Sequence, residues 1–126
     1  MKRVLVVDDD ADAREELSEL LAGVGFEANS ARNGRDALKQ AASVRFDLVV
    51  TDILMPDMEG LEFILAIKKA HPNIKIVAIS GGGRFKNMSF LEIAKKFGAD
   101  RAYEKPLPIK QLLQDVAGLM SQSFAA

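Results

Sequence analysis

No cysteine occurs in this 126-residue sequence. That excludes disulfides, thiolate catalysis and cysteine-ligated zinc, and it fits a reducing compartment such as the cytoplasm. Histidine occurs once, at His71, so a multi-histidine metal site is excluded as well. Neither sign of charge dominates: 17 basic against 18 acidic side chains leave a formal net charge of −1. With no basic excess, neither nucleic acid nor an acidic membrane surface is expected as a partner. Long hydrophobic runs are missing too. Lys2 and Arg3 open the chain with positive charge, but the apolar stretch behind them, Val4 to Val7, is too short for a signal peptide or a membrane span. No linker, internal repeat or low-complexity segment is visible. A composition of 48% apolar and 28% charged residues is that of a globular domain with one core.

What the sequence does contain is an alternation of strand and helix signals. Residues 3–8 read as a strand that is short, β-branched and without alternation, hence buried on both faces. Residues 11–24 read as a helix with Leu17, Leu20, Leu21 and Val24 on one stripe, ended by Gly23 and Gly25. Residues 26–30 alternate as an edge strand would, Asn33-Gly34 marks a turn, and the helix behind it turns Ala37, Leu38 and Ala41 inward. Asp47 to Thr51 is a third strand, and the Pro- and Gly-containing segment 55–60 is a loop. Leu61 to Ala70 is a helix presenting Leu61, Ile64, Leu65 and Ile67, stopped by His71-Pro72-Asn73. Ile74 to Ile79 is a fourth strand, Gly81-Gly82-Gly83 a loop, residues 89–97 a shorter helix closed by Gly98, and residues 101–104 a fifth strand. Pro108 to Met120 is the last helix, with Leu112, Leu113, Val116 and Met120 on its apolar face, and the remainder is a fraying tail. Five βα repeats imply an α/β fold: a doubly wound, flavodoxin-like parallel sheet of strand order 2-1-3-4-5 with helices on both faces.

Polar groups mark the carboxyl ends of four of these strands: Asp8-Asp9, Asp52, Ser80 and Lys105. In a parallel sheet all of these ends lie on one rim, and the order above sets Asp52 beside the acidic pair at the switch point. Taken singly, each has a plain role. Asp8, Asp9 or Asp10 caps a helix, Asp52 begins a turn, Ser80 caps a loop and Lys105 is solvated. Together they make a site. Adjacent carboxylates repel unless a cation lies between them, and Mg²⁺ is the natural partner of such hard oxygen ligands. A carboxylate beside that ion can attack phosphorus and form an acyl phosphate. Lys105 supplies positive charge for a phosphoryl oxygen, Ser80 a hydroxyl donor, and Gly81 an open approach.

Val7-Asp8-Asp9-Asp10, the run from Asp52 through Met55-Pro56-Asp57 to Gly60, Ser80-Gly81 and Lys105-Pro106, in this order and spacing, resemble the receiver domains of two-component response regulators. The resemblance covers nearly the whole chain, and four motifs in register make it specific. It implies that Asp52 is the phosphoacceptor and that Asp8, Asp9, Asp52 and the backbone carbonyl of Leu54 hold Mg²⁺. It further implies that Ser80, Gly81 and Lys105 receive the phosphoryl group, that the bond before Pro106 is cis, and that Tyr103 is the aromatic that turns inward as Ser80 moves. A half-buried edge-strand tyrosine would look the same in sequence. The implied function is a cytoplasmic phosphorelay switch. It would take a phosphoryl group from a histidine kinase or histidine phosphotransfer protein. It would then change its helix 4–strand 5–helix 5 face, roughly residues 89–120 with Lys95, Lys96, Arg101, Tyr103, Lys110 and Gln111, to control a protein partner or pass phosphate onward. The expected receiver spans residues 1–121 with a tail at 122–126, stands alone, and is a monomer or a weak homodimer through that same face. No nucleic acid, membrane or turnover of an external substrate is expected.

The glycine run after Ser80 departs from the family pattern. Ser80 is followed by three glycines, where the family usually has a small residue such as alanine at the first. They also suggest a nucleotide-cradling loop, but no Lys-Ser or Lys-Thr follows them. Leu54 and Gly82 offer no polar side chain to orient water, so slow self-dephosphorylation is expected. An aspartyl-phosphate phosphohydrolase of the haloacid-dehalogenase kind is the rival enzyme reading. It needs its nucleophile after the first strand with a second Asp two residues later, whereas residue 54 is Leu and no capping insertion fits. A binding-only pseudo-receiver and a flavodoxin fit less well. The site is intact, and acids stand where a flavin phosphate would bind. His71 reads as a helix-terminal residue far from the rim, not a phosphodonor.

Overall fold

The computed structural model describes residues 2–53, 60–81, 84–85 and 88–122. A parallel sheet is built from β1 (Arg3–Val7), β2 (Glu27–Ala31), β3 (Leu48–Asp52), β4 (Lys75–Ser80) and β7 (Arg101–Glu104), in the order β2-β1-β3-β4-β7. This is the expected flavodoxin-like order, with the last strand numbered β7 because two short strands precede it. The helices are α1 (Ala11–Gly23), α2 (Gly34–Ser43), α3 (Gly60–Ala70), α4 (Phe90–Phe97) and α5 (Ile109–Gln122).

The period of two along each strand sorts the core into two layers. Leu5, Val7, Val49, Ile76 and Ala78 pack with Ala37, Ala41, Phe63, Ile64, Ile67 and Ala94 from α2, α3 and α4. Val4, Val6, Leu48, Val50, Val77 and Ile79 pack with Leu17, Leu21, Leu112, Val116, Leu119 and Met120 from α1 and α5. With both faces covered, Val4 to Val7 in β1 and Leu48 to Val50 in β3 have no room for a solvated side chain, which is why these stretches read as continuous apolar runs.

Two aspartates clamp the amino ends of the strands. Just before β3, Asp47 Oδ2 accepts from the Arg3 N–H (2.9 Å), and the Asp47 N–H donates to the Arg3 carbonyl (2.9 Å). Just before β7, Asp100 Oδ2 accepts from the Ile76 N–H (2.8 Å), and the Asp100 N–H donates to the Ile76 carbonyl (2.7 Å). Asp47, expected inside the third strand, therefore acts at its threshold.

Several expected positions move. Val24 is 51% exposed and Leu65 50% exposed, although both were expected on inward stripes. The chain leaves helical geometry at Val24, the C-cap of α1, and Gly25 follows at a φ of 101°. On α3 the buried set is Gly60, Phe63, Ile64 and Ile67. That i, i+3, i+4, i+7 spacing points Leu65 away. Leu119 joins the apolar face of α5, where Leu113 is only partly buried. α5 itself continues to Gln122. After β4, Arg84–Phe85 (β5) pairs antiparallel with Met88–Ser89 (β6), where no element was expected before the helix, and Ser89, expected inside that helix, is its N-cap. Strands of two residues are too short to leave a periodic signal.

Candidate functional site

The carboxyl ends of β1 and β3 are hydrogen-bonded neighbours, with Val7 opposite Thr51. This register delivers Asp8 and Asp52 side by side. An oxygen from each of Asp8, Asp9 and Asp52 lies within 4.8 Å of the other two. One hard cation can contact all three with at most a small side-chain adjustment. Asp8 and Asp52 are buried and Asp9 is exposed, so the cluster opens to solvent on one side.

Local bonds hold this arrangement. The Asp10 N–H donates to Asp8 Oδ1 (2.9 Å), and the Arg14 guanidinium donates to the Asp8 carbonyl (2.8 Å). Asp10 caps α1, accepting from the Asp12 and Ala13 N–H groups. The three adjacent acids thus divide their work: Asp10 serves the helix, Asp8 and Asp9 the cluster. Behind Asp52, the Ile53 N–H donates to the Ile79 carbonyl and the Gly60 N–H to the Ile53 carbonyl (2.7 Å). A Cβ at Gly60 would collide with the backbone of Asp52 and Ile53. Glycine there lets α3 begin in contact with the end of β3.

Lys105 supplies the counter-charge. Its Nζ lies 3.2 Å from Asp52 Oδ2. The Lys105 N–H donates to the Ser80 carbonyl (2.8 Å), joining the ends of β4 and β7, and the Lys105–Pro106 bond is cis as expected. Ser80 is fully buried at the end of β4. A Cβ at the exposed Gly81 would meet nothing within 4 Å, so the space beside it is open. The electrostatics follow the geometry. Burial raises the Asp8 carboxyl above its ordinary value; the Asp10 N–H opposes this, the Asp52 charge adds to it and Lys105 opposes it. Burial pulls the Lys105 ammonium down, but Asp52 beside it, helped by Asp8 and Asp10, carries it above the ordinary lysine value. Three carboxylates and one ammonium therefore form a cup suited to a divalent cation and an incoming anion.

The structure thus brings Asp8, Asp9, Asp52 and Lys105 together, with Ser80 and Gly81 at the end of the adjoining strand. Leu54, expected to give a backbone carbonyl, and Gly82 lie outside the described residues. Tyr103, expected to turn inward as Ser80 moves, is instead half-buried with Ile79 in the α1–α5 layer, on the sheet face opposite to that of Ala78, Ser80 and Ala102, and its hydroxyl donates to Asp115 Oδ2 on α5. Lys95, Lys96, Arg101, Lys110 and Gln111 are exposed on the α4–β7–α5 face. His71 lies at the other end of the sheet, its N–H bonded to the Ile67 carbonyl. Sequence reasoning missed Arg14, Gly60 and Asp115. Arg14 and Asp115 look like ordinary charges on exposed helices, and Gly60 looks like a loop residue, because each acts on a partner in another element. A groove of about 340 Å³ beside Lys105 is lined by Leu17, Leu20, Pro106 and Leu107 among others.

The family model described as the response regulator receiver domain matches residues 4–117. The chemotaxis protein CheY of Thermotoga maritima is 36% identical over 114 residues, which cover 90% of this chain and 92% of that protein. Several other curated relatives are longer, and the chain spans 46% of one and 23% of another. Among solved structures, the response regulator TrrA of Thermotoga maritima in complex with Mg²⁺ and BeF matches at 35% identity. Its TM-score is 0.82, over 94% of this chain and 99% of that one. The beryllofluoride-activated NtrC4 receiver domain dimer matches at 32% identity and a TM-score of 0.87, over 98% and 99%.

Proposed function

Since the chain belongs to the response regulator receiver family, we propose that it is a phosphorelay switch whose phosphoacceptor is Asp52. The observation that carries this reading is the single cup formed by Asp8, Asp9, Asp52 and Lys105, with the Lys105 ammonium 3.2 Å from Asp52. An Asp52 oxygen attacks the phosphorus of a phosphohistidine on a histidine kinase or phosphotransfer protein. The O–P bond forms as the P–N bond breaks, and the imidazole leaves. Asp8, Asp9 and Asp52, with the Leu54 carbonyl, would hold Mg²⁺, which when bound screens Asp52 from the incoming group and takes up charge on its oxygens. Lys105 pairs with a phosphoryl oxygen and Ser80 donates its hydroxyl to another, with Gly81 leaving room for the group.

The new phosphoryl group adds about −1.5 to −2 units of charge at one point. Lys105 and Ser80 respond to it. The β7–α5 side thereby passes to a second arrangement. The exposed Lys95, Lys96, Arg101, Lys110 and Gln111 form the face offered to a downstream protein, to a phosphotransfer protein or, weakly, to a second copy of the chain. The apolar groove beside Lys105 supports a protein as the natural donor, since a small phosphodonor has no use for Leu17, Leu20 and Leu107. The receiver fills residues 1–121, and its action is in the cytoplasm. No helix among the described residues is long and apolar enough to cross a membrane. Once phosphorylated the chain turns over no external substrate and loses its phosphoryl group slowly.

Intact mass after incubation with Mg²⁺ and acetyl phosphate tests this reading, beside an Asp52→Asn control. One phosphoryl group gained by the parent alone, and lost on adding hydroxylamine, is the expected result. An equal gain in the control sinks Asp52 as the acceptor.

A further inference from the structure

Asp8 and Asp9 are joined by one peptide group, and that group is held from α1. Arg14 donates from Nη1 to the Asp8 carbonyl oxygen (2.8 Å). The backbone of Arg14 is itself seated: its N–H donates to the Asp10 carbonyl (3.0 Å), and the Ser18 hydroxyl donates to its carbonyl (2.8 Å). On either side of the peptide, the Asp8 N–H donates to the Ala31 carbonyl (3.2 Å), and Asp8 Oδ1 accepts from the Asp10 N–H (2.9 Å). A peptide is planar, so the atoms from the Asp8 Cα to the Asp9 Cα move as one plate. A donor fixed on the carbonyl of that plate sets the directions in which Asp8 and Asp9 leave it. Those two side chains, with Asp52, bring their oxygens within 4.8 Å of one another. Among the described residues Arg14 makes no ion pair, so its charge is not spent on a neighbouring acid.

We propose that Arg14 is a positioning residue for the metal site: by fixing the Asp8–Asp9 peptide it holds the two carboxylates at the spacing Mg²⁺ needs, and so makes the site favour Mg²⁺ over Ca²⁺. The proposal rests on the reading of Asp8, Asp9 and Asp52 as Mg²⁺ ligands given above. Two effects of Arg14 oppose each other. Its positive charge, close to three carboxylates, repels a divalent cation. Its hydrogen bond orients two ligands, and losing a group that orients ligands weakens metal binding by about 10- to 100-fold. Arg14 is half-buried at the edge of a cleft shared with Ser30, Arg32 and Lys39, so solvent screens its charge, whereas the orienting bond is local. Orientation therefore outweighs repulsion. Mg²⁺ is small and demands near-octahedral geometry, whereas Ca²⁺ accepts oxygens in varied number and placement. A loosened Asp8–Asp9 peptide costs Mg²⁺ more than it costs Ca²⁺.

Calorimetric titration of the full chain with Mg²⁺ and, separately, with Ca²⁺ tests this. Arg14→Met keeps an unbranched stem and removes both the donor and the charge. It should bind Mg²⁺ about tenfold more weakly than the parent, and Ca²⁺ at most about threefold more weakly. Arg14→Lys restores a charged donor. It should bring Mg²⁺ affinity back to within about threefold of the parent, because the bond to be replaced is single and not a bidentate fork. Methionine and lysine both suit a helix, so α1 should persist, which circular dichroism checks. Tighter or unchanged Mg²⁺ binding in Arg14→Met overturns the proposal, because orientation then does not outweigh charge. Equal losses for the two ions overturn it as well, because the ligands are then not held to a spacing that one ion needs. So does a loss in Arg14→Lys as large as in Arg14→Met, because the bond is then not the cause. No Mg²⁺ binding by the parent, or an affinity unchanged in Asp9→Ala, overturns the ligand reading and the role of Arg14 with it.

Discussion

The acidic cup has two sides, and they are held differently. On the β1–β3 side, Asp8 is bonded by the Asp10 N–H at its side chain and by Arg14 at its carbonyl, and Asp52 ends a strand against which Gly60 packs without spare room. On the β4–β7 side, the Lys105 side chain is 41% exposed, and Gly81 looks onto open space. Tyr103 is held through its hydroxyl tip as well as by packing. The first side resembles a metal site built in advance, where orientation is supplied before the ion arrives. The second side leaves room to respond, because the exposed Lys105 side chain and the open space at Gly81 permit a second conformation. One rim thus joins a rigid half that collects charge to a loose half that reads it.

The largest expected effect breaks the rigid half chemically. Asp9→Ala removes the exposed oxygen of the cluster, and Mg²⁺ affinity should fall on the order of 100-fold by calorimetric titration. An unchanged affinity would show that Asp9 is not a ligand. The next effect breaks it sterically. Gly60→Ala should destabilise the protein by about 2 kcal/mol in urea unfolding, because its methyl group meets backbone. Gly81→Ala should stay within roughly 0.5 kcal/mol of the parent, because its methyl group meets nothing. Equal losses at the two glycines would erase the contrast between the sides.

Lys105→Met sharpens the comparison from the other direction. It removes a cation that shares Asp52 with the metal, and Mg²⁺ should then bind about fivefold more tightly. Weaker binding in this variant would mean that Lys105 organises the acids instead of competing for them. The smallest effect concerns Asp8. A carboxyl raised in the folded state binds protons there more readily than in the unfolded chain. Stability therefore falls as pH climbs from its ordinary value of 3.8 through the raised one, and stays lowered above it. Asp8→Asn carries no such penalty. At neutral pH and without metal it should melt about 4 °C above the parent, equivalent to roughly 1 kcal/mol. Below pH 3.8 the two should melt alike. Coincident melting curves at neutral pH would show that burial of this carboxylate costs nothing.

Legibility in the sequence followed how local each signal is. β1, β3 and β4 were readable because each carries a run of apolar residues that ends in a polar rim residue, and their order followed from chain alternation. Asp8, Asp9, Asp52, Ser80 and Lys105 were readable because a parallel sheet collects strand ends whatever the loops do. Val24 and Leu65 were misplaced because stripe arguments assume that the helix continues, or begins, where the pattern suggests. Asp115 could not be found. Its partner is twelve residues away on another element, and an acid beside glutamine on a helix has no distinguishing pattern. The pairing of Arg84–Phe85 with Met88–Ser89 was hidden because two residues do not make a period.

The paired clamps at Asp47 and Asp100 have a mechanical consequence. Each locks the starting point of one strand against its neighbour, β3 against β1 and β7 against β4, through a carboxylate and a backbone bond together. A strand pinned in this way has lost its sliding freedom. Slipping by one residue would strip both bonds and turn every side chain to the opposite layer. A push at the carboxyl end is then taken up by torsion and side-chain rotation, not by translation. The sheet behaves as a set of cantilevers clamped at one end, with compliance greatest at the tips of β4 and β7, where Ser80 and Lys105 stand.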